Sequence, residues 1–406
     1  MKQLSKEEQN LIVMQGVSTF AASLAGIFVT LFFFQYSDVK TTLLYYAIVL
    51  SMLLFWNVLS GYTLRIVSSG TLVKIGLISS ALYYFLLFLL QEKAITFFIP
   101  LALLHGFSAG NYWAGYNLNQ YIYTPRGSRV KYFSSVMILM NMFQAIGPAI
   151  GGLIVTLGGS VTFFHVKLGY SLLFLIVSLL LGFSSFLIGR LPSHEAPVFS
   201  FSHLFSHKRS KAWKYVLMQQ ATLGFYDVLL GTVSGVLMYL ILKKELFLGF
   251  TQTSAFLLGA IGGYIASKTL ERSRRTYWIG VLGLTVGIGL FAFFQNVFGI
   301  LAYTVITGIS APFLHIWLSS VYYKAIDSHD RHWSEKYHLM IERESALGIP
   351  RVISYLLLYG IVQYGDQIQF AKYSLFVLMF FPLLIGLFLR FYAHTTVPKA
   401  IDPVTL

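Results

Sequence analysis

The chain has 406 residues, of which 56% are hydrophobic, 17% aromatic and only 11% charged, with a mean hydropathy of +0.71. A soluble globular protein carries about 25% charged residues, so this composition excludes a soluble enzyme, a nucleic-acid-binding domain and a disordered chain. A polytopic membrane protein remains, and about 20 apolar residues per crossing leave room for roughly twelve crossings and little else.

Taken in order, the polar start from Met1 to Asn10 leads into an apolar run with no small-residue cleavage site. It predicts a first span and not a removable signal peptide. Twelve apolar runs follow, at 11–35, 42–66, 71–91, 95–123, 133–157, 168–189, 213–242, 248–268, 277–295, 297–323, 347–365 and 371–391. Backbone groups in lipid must bond internally, which makes these runs helices. They are continuous and lack the alternation of a β-barrel.

With the N-terminus inside, the cytoplasmic segments hold 23 of the 29 Lys and Arg residues and the outer loops hold six. That split is the positive-inside pattern, and one miscounted span would invert every later loop. Both termini are therefore expected in the cytoplasm. The net charge of +14 belongs to these loops and not to a nucleic-acid face. The absence of Cys excludes disulfides and thiolate metal sites and suits a bacterial inner membrane.

Two loops are longer. Residues 190–212 carry two prolines and a basic end, and read as a cytoplasmic linker between halves at 1–189 and 213–406. Lys324–Ala346 is rich in charge and predicts either a helix lying along the cytoplasmic face or a solvated connector.

The halves look like repeats. Gly106, Ser108 and Ala109 match Gly308, Ser310 and Ala311 at an offset of 202, as Gly61-Tyr62 matches Gly263-Tyr264. Gln15, Phe20 and Gly26 match Gln220, Phe225 and Gly231 at 205. Span 5 contains Gly147-Pro148-Ala149-Ile150-Gly151-Gly152, in which Pro148 removes a backbone donor and the glycines admit a close neighbouring helix. Twelve spans, a 6+6 parallel repeat and this segment resemble the major facilitator superfamily, whose antiporter signature has a GPxxGG core. The resemblance spans the whole chain. The fuller signature places a Gly where Phe143 stands. The family's loop motif after span 2 begins at Gly61 but meets Arg65 where it expects Asp, and the equivalent after span 8 is Ser267. The resemblance implies an all-α fold of two six-helix halves around a central cavity lined by spans 1, 4, 7 and 10.

Asp227 is the only acidic residue well inside a span. Ionisable groups at such depth usually face a cavity or a partner. It lies on a stripe with Gln220, Gly224, Gly231 and Ser234, and is the first candidate for proton coupling. His105 is the second, since an imidazole titrates near neutral pH. It heads a polar stripe on span 4 with Ser108, Tyr112, Tyr116 and Asn119, flanked by Asn111 and Trp113. These residues, with Gln144, Gln220, His315 and Ser319, are the candidate substrate contacts. The alternative for each is packing or interfacial anchoring. Span 1 adds Thr19, Ser23, Gly26 and Thr30. Arg351 and Glu344 frame the start of span 11 on one helix face, where Arg351 is expected to pair with Glu342 or Glu344 as a gate. Arg65 is the further gating candidate.

No P-loop, HExxH or zinc-spaced Cys/His cluster occurs, and no Ser/His/Asp set sits in one loop, so no enzyme activity, cofactor or bound metal is expected. The reading is a monomeric secondary transporter, exchanging protons for an amphipathic or aromatic small molecule across the inner membrane. Proton-coupled uptake of a sugar or peptide, a lipid flippase and a non-transporting receptor or scaffold are the alternatives.

Overall fold

The computed structural model describes residues 5–123, 129–160, 162–163, 166–188, 196–202, 209–327 and 333–396. The first six helices are α1 (Lys6–Tyr36), α2 (Val39–Thr63), α3 (Ser69–Leu90), α4 (Phe98–Tyr123), α5 (Arg129–Gly159) and α6 (Gly169–Leu187). The rest are α7 (Lys211–Leu242), α8 (Glu245–Arg272), α9 (Tyr277–Phe294), α10 (Val297–Asp327), α11 (Trp333–Ile361), α12 (Gln367–Leu378) and α13 (Phe381–Thr396). Short 3-10 turns, Gln91–Ile95 and Arg274–Thr276, precede α4 and α9. Two-residue strands at Thr162–Phe163 and Val166–Lys167 pair antiparallel between α5 and α6.

The starts of several helices are set by side chains. Ser5 and Glu8 form a capping box, the Ser5 amide donating to the Glu8 carboxylate at 2.7 Å. Asp38 accepts from the Thr41 amide at 2.6 Å, and Ser68 and Ser210 cap α3 and α7 in the same way. Each cap satisfies an amide that the first helical turn leaves unpaired. Between the caps the residues are mostly apolar on every side, as suits a helix surrounded by lipid and protein. The 31 residues of α1 extend about 46 Å at 1.5 Å per residue, more than the roughly 30 Å hydrocarbon layer.

Among the described residues ten helical segments, α12 and α13 joined as one, are long and apolar enough to cross a membrane by length and composition. Helices α4 and α11 have the length but are more polar, α4 through its stripe and α11 through its charged first half. With α12 and α13 counted as one crossing, the chain makes twelve spans. The twelfth, a single run in the sequence, breaks at Met379 and Phe380. Pro382 has no N–H to offer Leu378, and the helix restarts one turn on. The eleventh also differs from expectation. Trp333 to Leu347 neither lies flat nor forms a loop; it is the first half of α11. Gly348 and Pro350 stand where it meets the apolar run, and the helix carries both without a break.

The repeat recurs in the packing. A methyl at Gly76 of α3 would lie 2.6 Å from the Tyr112 amide nitrogen of α4, and one at Gly280 of α9 would lie 2.5 Å from that of Leu314 in α10. Such contacts bring backbones together where no hydrophobic effect joins helices in lipid. The two sets of six meet along two seams, α2 with α11 and α5 with α8.

Candidate functional site: a central cavity and an ion pair

A cavity of about 580 Å³ lies between the two halves, walled by α1 to α8. Among the described residues none that lines it is charged, and its polar surface is amide, hydroxyl and imidazole. One network spans α1 and α4. The Tyr112 hydroxyl donates to Gln15 Oε1 and lies 3.1 Å from Ser18 Oγ, while Gln15 Nε2 donates to Thr19 Oγ1 at 3.2 Å. Tyr116 stacks parallel on Tyr112 at 5.6 Å, and Trp113 stands edge-on to both. Deeper in, His105 Nδ1 is 2.7 Å from the Tyr45 hydroxyl, which is 2.5 Å from that of Tyr83. The Tyr83 ring stacks on the imidazole at 4.4 Å. Gly26 and Gly231, matched by the repeat, both line the cavity, with nothing within 4 Å of a methyl added at either.

The cavity is sealed at the end away from the basic loops. There Gly235 of α7 packs under Ile27 of α1, and Gln35 donates to Glu245 at 2.9 Å. Gln367 accepts from the Lys40 amide at 3.2 Å and donates to Asp38 at 3.3 Å. The span 5 glycines take part in this closure. A methyl at Gly151 would lie 2.4 Å from the Leu24 carbonyl of α1, and one at Gly152 would lie 2.8 Å from the Glu245 carbonyl of α8. Gly147 faces Ser23, and Gly249 of α8 packs on the Pro148 carbonyl. The face of α8 that is buried at Gly249 is exposed at Phe256, Ala260 and Ser267. The two helices therefore diverge toward the basic end.

On the other seam the basic end is tied together. Phe199 of the linker is buried against Gly61, and Arg65 donates to its carbonyl. The Val198 amide donates to the Ser334 carbonyl at 3.0 Å, and the Ser60 and Tyr337 hydroxyls are 2.8 Å apart. Arg65 thus binds the linker backbone.

Asp227 lies one helical turn from Gly231, toward the basic end. Its Oδ1 accepts from Arg351 Nε at 3.1 Å and from the Val228 amide at 2.7 Å, and its Oδ2 accepts from Arg351 Nη2. Both side chains are 20% exposed. Arg351 is therefore neither at a membrane edge nor paired with Glu342 or Glu344, as expected. Helix α11 begins 18 residues before it, which places it at the depth of Asp227. A bidentate guanidinium–carboxylate fork is the geometry that compensates such a pair best. Glu344 bonds Arg343 instead, and Arg343 Nε donates to Gln220 Oε1 at 3.0 Å while its guanidinium lies over Tyr322. Glu342 accepts from Arg209 and from Trp213 Nε1 at 2.8 Å. Helix α11 thus fixes its charges against α7 and the end of the linker.

Of the expected substrate contacts, the cavity wall holds Tyr112, Trp113 and Gln144, with His105 beside them. Asn111 is buried and donates to the Phe107 carbonyl of its own helix at 2.9 Å. Asn119 accepts from Ser69 Oγ of α3 at 2.5 Å. Tyr116 backs Tyr112 from outside the wall, and Gln220 is held by Arg343. His315 and Ser319 are exposed on one face of α10 and do not line this cavity. The sequence reading missed Tyr46, Tyr84 and Gln252 as wall residues. Gln252 carried a signal, a lone amide in an apolar run; the tyrosines carried none beyond a common residue type.

No protein-family profile matches the chain. A Bacillus subtilis (strain 168) protein described as "Uncharacterized protein YqgE" is 21% identical over 350 residues, 85% of this chain and 80% of that protein. Among solved structures, a point mutant of the nucleoside transporter NupG superposes with a TM-score of 0.69 at 12% identity, covering 95% of this chain and all of the other. A bacterial homologue of the iron transporter ferroportin, inward-facing, gives 0.67 at 14% identity over 97% and 100%. A point mutant of the E. coli fucose:proton symporter FucP gives 0.65 at 14% identity over 95% and 98%. The fold is that of the major facilitator transporters. At these identities the likeness extends to architecture, and the cargo of each neighbour remains its own.

Proposed function

We propose that the chain is an alternating-access secondary transporter that exports an uncharged or amphipathic aromatic small molecule in exchange for protons. One observation carries the reading: a charge-free cavity between two six-helix halves, sealed at one end, with an Asp–Arg pair one turn from its wall. Tyr112 and Trp113 offer ring faces, and Gln15, Gln144 and Gln252 offer amides. A cavity without a carboxylate does not favour a cation, which narrows the cargo toward neutral molecules. Asp227 is the coupling residue of this proposal. A proton on Asp227 replaces the charge that holds Arg351, so the fork between α7 and α11 loosens and the halves can rock. His105 is a second titratable group on the wall. The positive-inside split supports a bacterial inner membrane with the basic end in the cytoplasm, where the cavity opens in this state.

The cavity amides favour one second reading, proton-coupled uptake of a polar solute such as a sugar. Both are tested in proteoliposomes with an internal pH-sensitive dye, wild type beside Asp227→Asn, challenged with aromatic compounds and with sugars. Proton movement triggered by an aromatic compound and lost in the variant is the expected result. A response to sugars alone selects uptake. Identical flux in both proteins removes Asp227 from the mechanism.

A further inference from the structure

We propose that a second cavity, between the basic ends of α9, α10 and α13, is a binding site for the headgroup phosphate of an anionic phospholipid. It has a volume of about 560 Å³ and receives Arg274 and Arg275 from the turn before α9, Lys324 from α10 and Arg390 from α13. Among the described residues no carboxylate lines it. All four cations are exposed, and among the described residues none is in an ion pair. The contrast with Arg209, Arg343 and Arg351, each paired with an acid, is direct. Four cations converging on one concavity repel one another until an anion sits among them, and guanidinium groups match phosphate oxygens in bidentate geometry.

The walls point to a lipid and not a soluble anion. Trp278 and Trp317 line the cavity, and Trp is the residue type that settles at headgroup level. Tyr277 stacks parallel to Trp317 at 6.4 Å, and its hydroxyl donates to the Gly386 carbonyl at 3.3 Å, which holds α9 against α13. From Arg275 an exposed apolar stripe climbs α9 through Ile279, Leu282 and Val286, with Leu387 and Phe391 exposed on α13. A phosphate in the cavity would lay its acyl chains along these faces. Basic pockets between helices at the cytoplasmic face hold anionic headgroups in this manner. The inference rests on the chain lying in a membrane and not on what it carries.

The test uses the full chain purified in detergent, with dioleoyl phosphatidylglycerol, dioleoyl phosphatidylcholine and inorganic phosphate as probes. Melting temperature and native mass spectrometry are the readouts. Phosphatidylglycerol is expected to raise the melting temperature and to stay bound as one retained lipid, while phosphatidylcholine does neither. Lys324→Gln and Arg390→Gln, both at exposed positions, should each weaken phosphatidylglycerol binding about fivefold. The four-fold Gln variant should abolish it, with circular dichroism and the melt without lipid confirming its fold. Equal effects of the two lipids, or full binding by a folded four-fold variant, would overturn the proposal. Equal protection by millimolar phosphate would assign the cavity to a soluble anion and overturn the lipid assignment.

Discussion

Asp227→Asn keeps the shape of the side chain and removes its charge. Arg351 is then left about two-thirds of the way along α11 with an amide where its carboxylate stood. Removing one partner of a buried ion pair costs about 3–5 kcal/mol. The 20% exposure of both side chains admits some solvent, so about 2–4 kcal/mol is expected here. Arg351→Gln should cost a similar amount, because Asp227 keeps only the Val228 amide as a donor. The double variant removes both charges and leaves two amides within reach of each other. It should lose no more than the worse single variant, which gives a coupling energy of about 2 kcal/mol in the double-mutant cycle. Arg351→Lys should fall between, since an ammonium keeps the charge but not the fork. Unfolding in mixed micelles of rising dodecyl sulfate fraction, followed by circular dichroism, measures all four. Single variants as stable as wild type, or a double variant that loses the sum of the two, would refute the pairing.

Four further outcomes follow from the geometry. Gly151→Ala should destabilise by about 1–3 kcal/mol through overpacking, because its methyl meets the Leu24 carbonyl. Gly26→Ala, which opens onto the cavity, should change the melt little. Tyr112→Phe leaves Gln15 Oε1 without its donor and should weaken substrate affinity about threefold to tenfold, read as the half-saturating concentration in the flux assay. Burial raises the Asp38 carboxyl, but hydrogen bonds from Thr41 and Gln367 and the charge of Lys40 outweigh it and hold the pKa below its usual value. Its stabilising effect is therefore full above the unfolded carboxylate range and lost as pH falls through the lowered value. Asp38→Ala should cost about 1 kcal/mol at neutral pH through the lost cap, with a smaller deficit in acid.

The crossings were legible because composition and loop charge both count them, and neither depends on tertiary contacts. The depth of Asp227 was legible for the same reason. Its partner was not. Arg351 is 124 positions away, and the apolar run that starts at 347 hides a helix that starts at Trp333. The polar stripe of α4 was half-readable. Helical spacing names a face, but the packing of α3 decides that Asn119 is consumed by Ser69 while Tyr112 is left to the cavity. Asn111, next to Tyr112 in sequence, turns back to its own backbone, an option open to any buried Asn in a helix.

Because the chain contains no Cys, a single introduced thiol reports on access to the cavity without background. Gly26→Cys places that thiol in open space on the cavity wall. A membrane-impermeant maleimide applied to inside-out and right-side-out vesicles measures the side from which it is reached. At rest, labelling is expected from the basic-end face alone, and an imposed proton gradient with substrate should make the thiol reactive from the opposite face as well. Labelling from one face under every condition, or from both faces at rest, would contradict alternating access through this cavity.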